Sequence, residues 1–376
     1  MTIEKNISEN ETSSVFSYKK DWGMAQKRWD AYWELEPMDR PVLRIRVPRQ
    51  DAKVIPLPAI NSVEDKWMSP EYLLVKAINS LESNLLIGEA VPQGPHVMAG
   101  TSAGCNRNLD FSQGGISIRP TMSSIDSPLN WHPGPDDPWR PKIEAILNLL
   151  LAHFRGKAIM PYTGGQFQHL DLLNMLRGNT EMMLDLAMNP EQCEARLKEI
   201  RMLTDENNNH FEKLIADKQG NAGYVTWTGV WSRQSLTMAQ ADAAACISPE
   251  MFHQFVLPEL DHLAERYERM HWHTCGYKQH LNECLTRSYI RGFQYSPNSK
   301  EPQNGPAHLE FYRAVQKAGR CLDIDGVDDS DLEFLIRHLR PEGLCIGVTS
   351  KNTLEEAEIF LSNAVTWAGS HVNSKR

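Results

Sequence analysis

The second half of the chain alternates short apolar runs with amphipathic helical runs, and only short connections separate them. The apolar runs at residues 271–275, 292–295, 321–325 and 344–348 have the length and composition of buried strands. Strands that alternate with helices in this way usually pair in parallel through right-handed crossovers. The pattern therefore predicts an α/β fold built on a parallel sheet.

With the less regular first half included, the chain supplies eight predicted strands, enough for a closed (β/α)8 barrel of the TIM type. They lie near residues 42, 87, 158, 224, 271, 292, 321 and 344. We predict one barrel domain over residues 21–376, after a poorly ordered N-terminal extension, residues 1–20. Residues 91–137 are rich in glycine, proline and serine, so we expect them to form a loop and hairpin insertion at one barrel end.

Composition narrows the functional class. The formal net charge of −9 argues against a nucleic-acid binder, which usually presents a basic face. No stretch approaches the roughly 20 apolar residues that a membrane span needs, and residues 1–14 lack the apolar core of a secretory signal. The seven cysteines are scattered and odd in number, which is typical of free thiols in a reducing compartment. We expect a cytoplasmic enzyme, with a homodimer kept as an alternative to a monomer.

The segment His273-Thr274-Cys275-Gly276 ends a predicted strand and enters a turn. In barrels of this type the chemistry lies at the C-terminal ends of the strands. Residues two apart on a strand share a face, so His271, His273 and Cys275 point the same way. Imidazole and thiolate are good zinc ligands. A buried strand cysteine is more often a packing residue, so the spacing by itself leaves both readings open.

Cys345 is the third candidate metal ligand. It lies on the last predicted strand, and a closed barrel brings its late strands near one another. With His273 and Cys275 it would give three protein ligands and leave one open position, as in catalytic zinc sites.

Three further groups are candidates for the active site. Asp325 ends a predicted strand, so it would be a general base, a substrate anchor or a residue that orients a ligand, with a turn or helix cap as the alternative. Glu89 follows an early strand and is expected to face the pocket, with a solvated loop charge as the alternative. The remaining candidates are aromatic residues expected to wall a substrate pocket, with core packing as the alternative: Tyr224, Trp227 and Trp231.

Several motifs, taken in order, resemble the uroporphyrinogen decarboxylase superfamily, and more narrowly its zinc-containing branch, the corrinoid-dependent methyltransferases. The likeness covers about residues 29–361. It implies a (β/α)8 barrel in which His273, Cys275 and Cys345 hold zinc. It also implies methyl transfer between a small methylated substrate, a thiol or a folate and a corrinoid (cobalamin) on a partner protein. The motifs are residues 176–181 before Asn189-Pro190, Ser248-Pro249-Glu250, His273-Thr274-Cys275-Gly276, residues 322–326 and Cys345.

The resemblance has two departures. Uroporphyrinogen decarboxylases use an arginine-rich N-terminal pattern to bind a substrate with eight carboxylates, and residues 27–33 lack it. A zinc-free carboxy-lyase of that type is therefore the second reading, and a non-catalytic binding protein is the third. Members of the family often supply a further acidic zinc ligand, but residues 292–296 contain no acid. The fourth ligand is left open between Glu301, a water molecule and His271.

Overall fold

The computed structural model describes residues 16–97, 109–111, 117–129, 134–161, 169–349 and 353–370. Eleven strands are found in these ranges. They are β1 (Val42–Pro48), β2 (Asn84–Gly88), β3 (Leu109–Asp110), β4 (Ser117–Ile118), β5 (Tyr224–Val225), β6 (Trp231–Ser232), β7 (Leu236–Gln240), β8 (Arg269–Cys275), β9 (Ile290–Ser296), β10 (Cys321–Val327) and β11 (Leu344–Thr349).

The same ranges contain thirteen α-helices and two short 3-10 helices, Asp242–Cys246 and Pro306–His308. The α-helices are α1 (Trp22–Glu34), α2 (Asp65–Met68), α3 (Pro70–Glu82), α4 (Arg140–Phe154), α5 (His169–Arg177), α6 (Asn179–Met188), α7 (Pro190–Gln219), α8 (Pro249–Phe255), α9 (Leu257–Arg266), α10 (Leu281–Leu285), α11 (Leu309–Lys317), α12 (Asp329–His338) and α13 (Leu354–Gly369). None of these helices has both the length and the apolar character needed to cross a bilayer.

Seven strands form the main sheet, in the order β2-β1-β11-β10-β9-β8-β7. All neighbours from β7 to β1 pair in parallel, and only β2 is antiparallel to β1. An isolated parallel bridge joins Gln93 to Ile159. The parallel sheet with helices between its strands confirms the predicted α/β class, and it is consistent with a TIM-like fold.

Several strands that precede β8 in the chain differ from the sequence prediction. The strand predicted near residue 87 is the antiparallel β2, and the one near 158 is reduced to the single bridge at Ile159. The strand predicted near 224 lies outside the main sheet, because β5 pairs with β6 in a separate hairpin. Leu236–Gln240 takes the place beside β8 instead. Residues 1–15 and parts of the predicted insertion lie outside the described residues, and β3 and β4 form an antiparallel pair within it.

Two helices of the second half begin at residues whose side chains cap them. The Ser248 hydroxyl accepts a hydrogen bond from the Met251 N–H, with Pro249 at the first helical position of α8. Thr353 and Glu356 form a complete capping box at the start of α13. These caps fix where α8 and α13 begin.

Helix α1 closes the N-terminal end of the sheet. Four tryptophans, Trp22, Trp29, Trp33 and Trp231, which we call the tryptophan cluster, are each at most 2% exposed. They pack with residues that begin the strands, such as Val42, Leu236 and Cys321. The Trp33 indole N–H donates to the Trp231 carbonyl at 2.8 Å, which ties α1 to β6. This end of the sheet is therefore filled by side chains.

Candidate functional site

Three metal-binding side chains meet at the C-terminal ends of two neighbouring strands. His273 and Cys275 end β8, and Asp242 follows β7, whose last residue Gln240 is in register with His273. One ligand atom from each of Asp242, His273 and Cys275 lies within 4.8 Å of the other two. We call these three residues the metal triad. His273 is buried, while Asp242 and Cys275 are exposed, so the group opens toward solvent.

Gln294 on β9 orients His273. The Gln294 amide nitrogen donates to the Tyr295 carbonyl at 3.3 Å and to the Ser296 hydroxyl at 3.2 Å, which turns its oxygen toward the imidazole. That oxygen accepts a hydrogen bond from His273 Nδ1. With Nδ1 engaged in this way, the lone pair lies on Nε2, which is free to bind a metal.

The protonation states of the triad would respond to a bound cation. Burial lowers the pKa of His273, which keeps the imidazole neutral. Partial desolvation of the Asp242 carboxyl group raises its pKa, although the residue as a whole is exposed. Burial raises the pKa of the Cys275 thiol too, and the negative charges of Asp242 and Glu301 raise it further. A divalent cation would offset this repulsion and favour the deprotonated carboxylate and thiolate. Carboxylate, imidazole and thiolate are also the donor types that zinc uses, so the residues fit such an ion.

The structure does not bring Cys345 to His273 and Cys275. It lies on β11, and β9 and β10 separate that strand from β8, so it is three strand spacings away, about 14 Å along the sheet. Its thiol accepts a hydrogen bond from Arg44 Nε at 3.2 Å and is fully buried. Asp242, from the 3-10 helix that follows the neighbouring strand β7, takes the third position that the sequence prediction gave to Cys345.

The two protein groups left open as fourth ligands also have other partners. The buried His271 ring contacts the Tyr32 hydroxyl, with 3.0 Å between that oxygen and Nε2. Both Glu301 carboxylate oxygens lie 2.6 Å from the Tyr295 hydroxyl, and one accepts from the Asn298 N–H. Neither residue belongs to the metal triad within the described part of the chain.

A buried ion pair lies deeper in the sheet, beside Cys345. Arg44 on β1 contacts Asp323 at 2.5 Å and Asp325 at 3.3 Å. Asp323 is fully buried and also accepts from the Thr228 hydroxyl at 3.0 Å. Gly347 makes room for this pair, because a Cβ there would lie 2.1 Å from an Asp325 carboxylate oxygen. Asp325 thus ends the buried pair on its half-exposed side.

Two neighbouring cavities open beside the ion pair. The first, about 280 Å³, is lined by Asp325, Arg44, Arg46 and Trp227 among others. The second, about 340 Å³, shares Arg46, Gln93 and Trp227 with it and is otherwise largely apolar. The Trp227 ring also meets the His273 ring edge-on, with 5.0 Å between centroids. Trp227 therefore stands between the metal triad and the cavities.

Tyr224 and Trp231 lie elsewhere, contrary to the expectation that they wall the same pocket as Trp227. Trp231 belongs to the tryptophan cluster, and its indole N–H donates to the Ala222 carbonyl at 2.9 Å. Tyr224 packs beside that cluster and lines a separate cavity of about 640 Å³, whose lining includes no triad residue. The reason is the β5–β6 hairpin, which turns the chain back toward the N-terminal end after Trp227.

Glu89 belongs to a buried ion pair. It is neither the pocket-facing carboxylate nor the solvated loop charge that the sequence suggested. Its two carboxylate oxygens each lie 2.8 Å from an Arg40 guanidinium nitrogen, and Arg28 approaches at 3.2 Å. It also accepts from the Leu43 N–H at 2.9 Å. The side chain is buried and neutralised, so it joins α1 to β1 and β2 and faces neither cavity.

Sequence reasoning missed Asp242, Gln294 and Arg44. Asp242 could have been found if residues 236–240 had been taken as a strand, because it would then follow a strand end, as Cys275 does. Gln294 is two residues from the end of β9 and in register with His273, which marks it as a neighbour of the metal ligands. Arg44 and Arg46 alternate with apolar residues in the strand run PVLRIRV. An arginine that a buried strand turns inward needs an acidic partner, so this run could have indicated a buried ion pair.

Comparison with known proteins supports the fold. No protein-family model matches the chain, and no curated protein matches it. Among solved structures, a methyltransferase from Methanosarcina mazei superposes with a TM-score of 0.54, and the match covers 91% of this chain and 98% of that one. The two sequences are 14% identical, so the likeness concerns the fold.

Proposed function

We propose that this protein is a zinc-dependent methyltransferase that moves a methyl group between a small substrate and a corrinoid cofactor on a partner protein. The observation that carries the proposal is the meeting of Asp242, His273 and Cys275 at the C-terminal ends of β7 and β8. This is the end where enzymes of barrel folds place their chemistry. The fold likeness to a methyltransferase agrees with the proposed class.

Asp242, His273 and Cys275 would hold the metal ion, and Gln294 would keep His273 in the binding tautomer. Three protein ligands are the number found in catalytic zinc sites, where one position stays open for substrate. A zinc ion held there would lower the pKa of a bound thiol or act as a Lewis acid on the group that carries the methyl. The exposed Asp242 and Cys275 side chains leave this position accessible.

The cavities beside Trp227 would bind the rest of the small substrate. Arg46 has an exposed side chain at their mouth, and no ion pair or hydrogen bond of Arg46 is found within the described residues. The Trp227 indole N–H also has no acceptor in that part of the chain. A small molecule with an anionic end would meet the guanidinium of Arg46, and its reactive end would reach past Trp227 toward His273.

The metal content of the purified protein tests the proposal. We expect about one zinc per chain, lost in Cys275→Ser and in His273→Ala and kept in Cys345→Ser. Cys275 and Cys345 form a matched pair, because each replacement removes one strand thiol and only one of these thiols lies in the metal triad. A metal-free native protein would overturn the proposal. A metal-free protein that releases carbon dioxide from a carboxylic acid substrate would favour the carboxy-lyase. Zinc lost from Cys345→Ser and kept in Cys275→Ser would replace this triad with another ligand set.

A second measurement addresses the reaction itself. The absorption spectrum of methylcobalamin, added with small thiols, should change in the presence of the zinc-loaded wild-type protein. The same mixture with Cys275→Ser should change no faster than without protein. Zinc binding without any methyl transfer would instead favour a non-catalytic binding protein.

A further inference from the structure

A buried carboxylate holds the segment that carries Asp242. Asp171 lies on α5, 3% exposed, and its two carboxylate oxygens accept hydrogen bonds from the backbone N–H groups of Asp242 and Ala243, both at 2.9 Å. No ion pair of Asp171 with a basic side chain is found within the described ranges. Burying a carboxylate without a cation is costly, so these two N–H groups are its main compensation.

The 3-10 helix Asp242–Cys246 needs such an acceptor. The first N–H groups of a helix have no partner inside it, and a Ser, Thr, Asp or Asn at the preceding position usually accepts from them. Here the preceding residue is Ala241, which makes no side-chain cap. Asp171 supplies the missing acceptor from another helix.

This arrangement leaves the Asp242 carboxylate free. An aspartate in the first turn of a helix readily accepts hydrogen bonds from nearby backbone N–H groups. Asp171 accepts from the N–H groups of Asp242 and Ala243, and the Asp242 side chain lies beside His273 and Cys275.

The segment that follows Cys275 also contacts the backbone of this 3-10 helix and of the residue before it. The Tyr277 hydroxyl donates to the Ala241 carbonyl at 2.8 Å, and the Gln279 amide donates to the Ala245 carbonyl at 3.0 Å. Asp171 thus completes a set of contacts that fixes the helix carrying one triad residue against the strand end carrying another.

We propose that Asp171 is a positioning residue of the metal triad, which acts on the metal by holding the Asp242 carboxylate toward His273 and Cys275. The inference rests on the proposed function, since it requires that the triad binds a divalent metal ion. It extends the site from the ligands to a side chain on α5 that contacts one of them only through the backbone.

Metal affinity tests the proposal without relying on activity. Zn²⁺ affinity would be measured by competition with a chelating dye, and Co²⁺ would serve as a spectroscopic probe. We expect Asp171→Ala to weaken affinity about 10- to 100-fold, as for other residues that orient a ligand. Asp171→Asn, which keeps one acceptor oxygen, should lose less and would serve if the alanine variant does not fold. In both variants the Co²⁺–thiolate charge-transfer band should persist, because Cys275 is unchanged.

Asp65→Ala is the matched control. Its carboxylate also accepts from two backbone N–H groups, those of Asn61 at 2.7 Å and Ser62 at 3.0 Å, but it lies at the start of α2 and outside the triad. We expect metal affinity to be unchanged in this variant.

A double-mutant cycle separates positioning from a general structural effect. If Asp171 acts through Asp242, then Asp171→Ala should weaken affinity little or not at all once Asp242→Ala is present. An equal loss in both backgrounds, or wild-type affinity in Asp171→Ala, would overturn the inference and leave the proposed function intact. A wild-type protein that binds no divalent metal would overturn both.

Discussion

The two ends of the sheet are built from the same strands and differ in almost every physical respect. At the C-terminal end, Asp242 and Cys275 are exposed, and charged side chains border open cavities. At the N-terminal end, the tryptophan cluster is at most 2% exposed and α1 covers the first residues of the strands. One end can therefore change its loops and ligands while the other supplies much of the stability.

Two histidines on β8 show this difference within a single strand. His271 and His273 are two residues apart and share a face, but His271 lies against Tyr32 and Trp33 from α1. Burial there lowers the pKa of His271 to about 3, so it stays neutral. His273 lies one step nearer the open end, beside Asp242 and Cys275. Position along the strand, rather than residue type, separates a packing histidine from a candidate ligand.

The largest effect should come from removing a member of the tryptophan cluster. Trp231→Ala deletes a buried indole that contacts Trp22 and donates to the Ala222 carbonyl. We expect the free energy of unfolding to fall by about 4 kcal/mol, measured by denaturant titration. The metal content of the folded protein should not change.

Trp227→Ala is the matched variant at the open end. It should destabilise the protein less, because Trp227 lines two cavities and is only partly buried. It should impair methyl transfer more than Trp231→Ala does. If Trp227→Ala and Trp231→Ala lost equal stability and equal activity, the two ends of the sheet would not differ in function as we propose.

Much of the parallel sheet could be predicted from the sequence, because strands 269–275, 290–296, 321–327 and 344–349 are short apolar runs that alternate with helices. The strand 236–240 could not, since its sequence LTMAQ is fully buried, lacks alternation and contains helix-favouring residues. Because this strand was not predicted, Asp242, which lies two residues after its end, was not recognised as a candidate ligand.

The second largest loss of stability should come from breaking the buried ion pair of Arg44 and Asp323, which lies between the two ends of the sheet. Arg44→Met leaves the fully buried Asp323 without its cation, which should cost about 3 kcal/mol of stability. The double variant Arg44→Met/Asp323→Leu should recover most of the loss, because no unpaired charge then remains. Thermal and denaturant unfolding of both variants would measure this. A single variant as stable as the wild type would show that the pair contributes little.

Residue type alone could not show which candidate residues lie at the site and which are buried elsewhere. Cys275 and Cys345 are both strand cysteines, and Trp227 and Trp231 both follow the same predicted strand. Their environments differ because of strand order and because the β5–β6 hairpin reverses the chain. Strand order is a long-range feature that no local pattern around the two cysteines encodes, and the two-residue strands of the hairpin are too short to show an alternating pattern.

The third effect is on the orientation of His273. Gln294→Leu removes the acceptor for Nδ1 and should weaken zinc affinity about 10- to 100-fold, with little change in stability of the metal-free protein. Gln294→Glu keeps an acceptor oxygen and should retain most of the affinity. Chelator competition would measure both. If the two variants bind zinc equally well, the hydrogen bond does not orient the ligand.

The smallest effect should come from Arg46, at the mouth of the cavities. With methylcobalamin as the methyl donor, 3-mercaptopropionate should have a lower KM than the neutral 2-mercaptoethanol, because its carboxylate meets the guanidinium. Arg46→Ala should raise the KM of the acidic thiol about tenfold, roughly 1.4 kcal/mol, and leave that of the neutral thiol unchanged. Arg46→Lys should restore part of the preference, since it keeps the charge and loses the paired donors. An equal rise for both thiols would mean that Arg46 shapes the cavity without recognising the anion. The positive charge of Arg46 at the C-terminal end of the sheet would then not select the substrate.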